Sequence, residues 1–133
     1  MKALFADSYY YLALLNKDDD GHQRARDVSR RRFVPTVTTA WVLTEVADAM
    51  ARPGYRQYFE ALLDQLRADR DLVIAPATPE LFDAGLDLYF RRWDKEWPLT
   101  DCISFIVMER EGLTEALTAD HHFEQAGFKA LLR

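Results

Sequence analysis

Short apolar runs alternate with longer helix-patterned stretches along this chain, and that alternation restricts its fold more than any single residue does. KALFA at 2–6 is an apolar run ending at Asp7, and RFVPT, DLVIAP and EALTA read as three more strands, with GFKALL as a fifth candidate. Between them lie SYYYLALL, DDGHQRARDVSRR, TTAWVLTEVADAMA, PGYRQYFEALLDQLRAD, TPELFDAGLDLYFRRW and PLTDCISFIVMEREG, each of which reads as a helix. Thr38 or Thr39 serves as N-cap of the third helix, and Thr78 caps the fifth with Pro79 first inside. Tyr58, Leu62, Leu63 and Leu66 share one face of the fourth helix. Strands that alternate with helices pair in parallel, because a parallel pair needs a crossover. The expected fold is therefore α/β, a central mostly parallel sheet of four to five strands with helices on both faces. Residues 1–133 carry no repeat and no Pro/Gly/Ser-rich linker, so one domain is expected.

One residue breaks the helical pattern. In the third helix Glu45 has Trp41 at i−4, Val42 at i−3, Val46 beside it and Ala49 at i+4, all apolar. Asp48, by contrast, neighbours Thr44 and Arg52, the setting of a solvated face. A buried unpaired carboxylate costs several kcal/mol unless something compensates it. Three further acids stand at telling positions: Asp7 and Asp120 at the ends of strands, and Asp101 in the first turn of an apolar helix. Open parallel sheets bind ligands at the carboxyl ends of their strands. Each acid also has a local role open to it: Asp7 as an N-cap, Asp101 against a helix dipole, Asp120 as a turn former. Glu45, in mid-helix, has none.

If the fold gathers these four, each like-charge pair at ~5 Å costs about 3 kcal/mol at an effective dielectric near 20. Shared protons or a hard divalent cation relieve that cost. Oxygen donors with a single cysteine and three histidines in the chain favour Mg²⁺ or Mn²⁺ over Zn²⁺. Cys102 alone forms no intrachain disulfide and no thiolate cluster, and reads as a small buried residue.

Net charge is −5, a poor basis for nonspecific binding to nucleic acid. The basic residues are concentrated, however: Arg24, Arg26, Arg30, Arg31 and Arg32 fall within nine positions, offset only by Asp27. They form either a solvated helix face or a phosphate-binding patch. No apolar run approaches the ~20 residues of a membrane span, and the N-terminus lacks a signal-peptide pattern, so a cytoplasmic protein without membrane attachment is expected. His121 and His122 directly follow Asp120; they read as helix-start surface residues, one of them within reach of a metal or phosphate. Trp41, Trp93 and Trp97 read as packing residues.

With these pieces in order, LFADSYYYLALL, VTTAWVLTEVADAM, WPLTDCISFIVMEREG and EALTADHHFEQAGF, the sequence resembles the PIN-domain family. Within that family it is similar to the small VapC-type toxins of toxin–antitoxin pairs. The resemblance implies a PIN-like nuclease over the whole chain, with Asp7, Glu45, Asp101 and Asp120 as a catalytic quartet holding one or two Mg²⁺ or Mn²⁺ ions. It aligns Ser8 and Thr100 with supporting hydroxyls, and Phe123 and Phe128 with apolar positions of the family's ending. The implied activity is hydrolysis of RNA phosphodiester bonds, leaving 5′-phosphate and 3′-hydroxyl ends. The implied partners are an RNA substrate, contacted by Arg24, Arg26 and Arg30–Arg32, a cognate antitoxin and a second copy of the chain. Tyr9 departs from the family, which often has a small or polar residue there; it bears on specificity by narrowing the entrance or altering partner packing. A haloacid-dehalogenase-like site lacks its second Asp, since Tyr9 stands in that place, and a receiver domain lacks its late Lys. The remaining alternative is a non-catalytic PIN-like RNA-binding or scaffolding module.

Overall fold

A computed structural model describes residues 3–31 and 34–133. The chain runs β1 (Leu4–Ala6), α1 (Ser8–Leu15), α2 (His22–Arg31), β2 (Thr36–Thr39), α3 (Ala40–Ala49), α4 (Arg56–Ala68), β3 (Leu72–Ala75), α5 (Pro79–Arg91), α6 (Leu99–Arg110), β4 (Glu115–Leu117), α7 (His121–Gln125) and β5 (Lys129–Ala130). The five strands form one sheet in the order β3-β2-β1-β4-β5, and every neighbouring pair is parallel.

Chain progress moves from β1 outward through β2 to β3, then crosses back to β4 and outward again to β5. Right-handed crossovers place helices from these two excursions on opposite faces of such a sheet. The direction reverses between β1 and β4, where Phe5 sits opposite Ala116 and Ala6 opposite Leu117. At such a switch point the outgoing connections diverge and leave a crevice beyond the strand ends. Asp7 directly follows β1, and Asp120 lies three residues past β4.

β1 is buried throughout and carries the centre of the core. Phe5 lies tilted against Phe123 of α7 at 6.2 Å, Phe123 meets Phe105 of α6 edge-on at 5.0 Å, and Phe105 meets Trp97 edge-on at 5.1 Å. The Trp97 indole N–H donates to Gln125 Oε1 at 3.0 Å, which ties the segment before α6 to the end of α7. That aromatic line fixes α6 relative to α7, and with them Asp101 relative to Asp120.

Local chemistry explains most boundaries. Thr39 and Thr78 cap α3 and α5, accepting from the N–H groups of Val42 and Leu81. α6 ends in a Schellman arrangement: Leu113 N–H bonds Met108 C=O, Gly112 N–H bonds Glu109 C=O, and Gly112 takes φ +68°, which suits glycine. The His22 ring shares a 2.7 Å hydrogen bond with the Ala13 carbonyl near the C-terminus of α1.

Three expectations need correction. The second strand starts at Thr36, after Pro35, so RFVPT overlaps it by one residue, and Arg32 and Phe33 lie outside the described residues. On the apolar face of the fourth helix Leu62 is buried and Leu63 and Leu66 pack partly buried against the core, but Tyr58 is half exposed. Trp41 and Trp97 pack, but Trp93 is 86% exposed.

α5 and α6 approach closely at Gly85. A methyl added there would collide with Ile103 Cγ1 and lie 3.3 Å from the Ile103 Cα, which belongs to a buried helix backbone. Gly85→Val is expected to destabilise the fold by about 2–4 kcal/mol, against the small gain from better helix propensity. Urea denaturation measures this; an unchanged midpoint would mean that the two helices can part without cost.

Candidate active site

Asp7 reaches the site by ending the central strand. It occupies the N-cap position of α1, yet its side chain makes no cap hydrogen bond to that helix. It accepts instead from the Thr118 hydroxyl at 2.8 Å. Its other oxygen, Oδ1, is buried with no partner among the described residues. Glu45 projects from α3, half-buried, with the Ser8 side chain near enough to favour its charged form, while its Oε1 is likewise buried and unpartnered among the described residues. The helical neighbours that placed Glu45 on an apolar face are less uniform than expected, because Ala49 is exposed.

Asp101 lies buried in the first turn of α6. Asp120 caps α7, its Oδ1 accepting from the His122 N–H at 2.9 Å. The structure therefore brings all four acids within electrostatic reach of one another. Burial, then the charges of Asp7, Asp120 and Glu45, push the Asp101 carboxyl up to about 8. Burial raises Asp7 to about 6, aided by Glu45 and Asp120 and opposed by the Thr118 hydroxyl and the adjacent Ser8 main chain. Glu45 is raised by burial and by the charges of Asp120 and Asp48, with Ser8 opposing.

Two residues join the site that the sequence reading missed or discounted. Thr118 is fully buried; its hydroxyl donates to Asp7 and accepts from the Asp120 N–H at 3.1 Å, linking the first and fourth acids. The position of a threonine two residues before an acid in LTAD was the available signal. His122, read as a surface residue, has a largely buried side chain. Its Nδ1 stands 3.1 Å from Asp101 Oδ2 and 3.2 Å from Asp120 Oδ1. His121 is mostly exposed, 3.6 Å from Asp120.

Of the supporting hydroxyls, Ser8 contacts Glu45, and Thr100 offers its main-chain carbonyl to the Ser104 hydroxyl. Phe123 is buried and Phe128 packs on Phe105. Tyr9 lies against Gly21, where its hydroxyl occupies the space a side chain would need. Cys102 is buried, and burial next to Asp101 pushes its thiol up to about 11.

The arginines fall elsewhere. Arg24 donates to the Leu132 carbonyl at 3.0 Å, tying α2 to the C-terminus. Arg26 and Arg30 line a groove of about 520 Å³ with Leu14, Leu15, His22 and Tyr58, and none of the four acids lines it. Arg31 ends α2 with its side chain outside the described set, as is all of Arg32. No helix among the described residues is long and apolar enough to cross a membrane.

A five-stranded parallel sheet in this order, with acids gathered at its switch point, is a fold shared with solved VapC structures. The chain is similar to the following proteins. The chain is 26% identical over 126 residues to the 23S rRNA-specific endonuclease VapC20 of Mycobacterium tuberculosis, covering 94% of this chain and 95% of that one. The crystal structure of M. tuberculosis VapC20, described as a sarcin-ricin loop cleaving toxin, superposes with a TM-score of 0.85 at 24% identity, over 94% and 95% of the two chains. VapBC2 from Rickettsia felis, bound to a DNA fragment from its promoter, shares the fold at a TM-score of 0.65 and 11% identity, over 96% of each chain. No family model matches the sequence.

Proposed function

We propose that this chain is a divalent-metal-dependent endoribonuclease, the toxin of a type II toxin–antitoxin pair. In this reading residues 1–133 act as one cytoplasmic PIN-like domain, dimerise with a second copy and are silenced by a cognate antitoxin. The observation that carries it is the pair of buried carboxylate oxygens, Asp7 Oδ1 and Glu45 Oε1, left without partners among the described residues in a cluster of four acids. Buried polar atoms are normally satisfied, and unpartnered acceptors gathered in one acidic cluster call for a cation. The relationship to an rRNA endonuclease over nearly the whole chain supports RNA as the substrate.

Asp7, Glu45, Asp101 and Asp120 would hold one or two Mg²⁺ or Mn²⁺ ions. Bound there, a divalent ion supplies Lewis acidity to the phosphoryl oxygens and lowers the pKa of water. The chain's own contribution is to hold the donors ready. The Thr118 hydroxyl fixes Asp7, and the cap of α7 fixes Asp120. Preorganised charge of this kind costs no rearrangement during the reaction.

The test is incubation of end-labelled 23S rRNA fragments carrying the sarcin-ricin loop, beside unrelated structured RNAs, with Mg²⁺, Mn²⁺ or EDTA. Discrete cuts that require metal are expected. RNA binding without cutting in any condition would favour the non-catalytic scaffolding module.

A further inference from the structure

We propose that His122 is a direct ligand of the metal through Nδ1, so that the site is a mixed nitrogen–oxygen site that favours Mn²⁺ over Mg²⁺. The inference rests on the metal-dependent reading above and adds to it a ligand outside the acidic quartet. The geometry carries it. Nδ1 lies 3.1 Å from Asp101 Oδ2 and 3.2 Å from Asp120 Oδ1. Adjacent ligands on an octahedral cation, each a little over 2 Å from it, stand about 3 Å apart. The imidazole nitrogen thus has the spacing of a neighbouring donor to both carboxylates.

The ring is also held there. Asp120 Oδ1 accepts the His122 main-chain N–H, which locks the acid and the histidine into one short loop. Phe123, the next residue, is fully buried between Phe5 and Phe105 and pins the backbone. The His122 side chain is 16% exposed, whereas that of His121 is 61% exposed. An independent sign of a ligand is Asp7 Oδ1 in the same cluster, on a residue 3% exposed, buried and without a partner among the described residues.

The chemical consequence follows from donor type. Mg²⁺ takes oxygen ligands and sheds water reluctantly, whereas an imidazole nitrogen raises affinity for first-row transition ions. A neutral ring that gives Nδ1 to the cation carries its hydrogen on Nε2.

Pulsed electron paramagnetic resonance of the Mn²⁺-loaded full chain tests this. The expected spectrum contains hyperfine coupling from one directly bound nitrogen, which changes from the ¹⁴N to the ¹⁵N pattern when the protein is made with ¹⁵N-histidine. The labelled parent protein needs no substitution, so it answers even if a variant folds poorly. The coupling should persist in His121→Asn and vanish in His122→Asn and His122→Gln. Mn²⁺ affinity by calorimetry should fall about tenfold or more in the His122 variants, with Mg²⁺ affinity changing less. Mn²⁺ bound without nitrogen coupling, or coupling that survives loss of His122, would overturn the assignment while leaving the acidic metal site standing. A parent chain that binds no Mn²⁺ would remove both.

Discussion

Asp101→Asn protein is expected to cleave RNA at least about 10²-fold more slowly than the parent while melting at a higher temperature in EDTA at pH 8.5. The two effects share one cause. Asp101 is buried among Asp7, Asp120 and Glu45, and these surroundings disfavour its charged form strongly enough to hold its carboxyl up to about 8. An amide of the same shape removes that conflict, and with it a charge that a cation needs. Losing a preorganised charged group typically costs 10²–10³ in rate. Relief of part of the buried-charge penalty should add about 1–2 kcal/mol, roughly 5 °C for a domain of this size. Differential scanning calorimetry beside the cleavage assay measures both. A variant that lost activity and melted lower would mean that Asp101 serves the fold through its contact with His122 rather than opposing it.

Raising the pH of the metal-free protein is expected to destabilise it, and divalent metal is expected to reverse the loss. The folded-state carboxyls of Asp7 and Asp101 lie at about 6 and about 8, both above the ordinary value of 3.8. A group whose pKa is raised by folding binds its proton more tightly in the native state. Its stabilisation is therefore complete below about pH 4 and declines as pH climbs through 6 for Asp7 and 8 for Asp101. In EDTA, the melting temperature should be lower at pH 8.5 than at pH 5 by several degrees, other ionisations being matched by the Asp101→Asn control. Saturating Mn²⁺ at pH 8.5 should restore it, because ligand binding to the native state alone adds stability by mass action. A flat profile from pH 5 to 8.5 would contradict the electrostatic account of the cluster.

Much of this architecture is legible in the residues, for reasons that are local. Strand–helix alternation, the threonine caps of α3 and α5 and the glycine stop of α6 each depend on a few neighbouring positions. The misplaced start of β2 shows where local reasoning fails. Thr36, Thr38 and Thr39 look like loop or cap residues, yet all are buried in a strand, because Thr38 donates to the Ala6 carbonyl and Thr39 doubles as a cap. The apolar face of the fourth helix is covered at Leu62, Leu63 and Leu66 and left open at Tyr58. The four acids could be picked out one by one from strand ends and a helix face. The groups that connect them could not: Thr118 meets Asp7 across 111 positions of sequence, and His122 meets Asp101 across 21. Such contacts are properties of the closed sheet, and periodicity carries no trace of them.

The acidic cluster draws on segments from residue 7 to residue 120, and the final residues are held in turn by β5 pairing with β4 and by Arg24 grasping Leu132. A chain still emerging from the ribosome possesses Asp7 and Glu45 long before it possesses Asp101 and Asp120. No nascent chain that stops short of Asp120 can assemble the cluster, so whatever chemistry it performs waits until that residue has emerged and β4 has joined the sheet. The spread of the acids along the chain acts as a timer on the molecule's own birth.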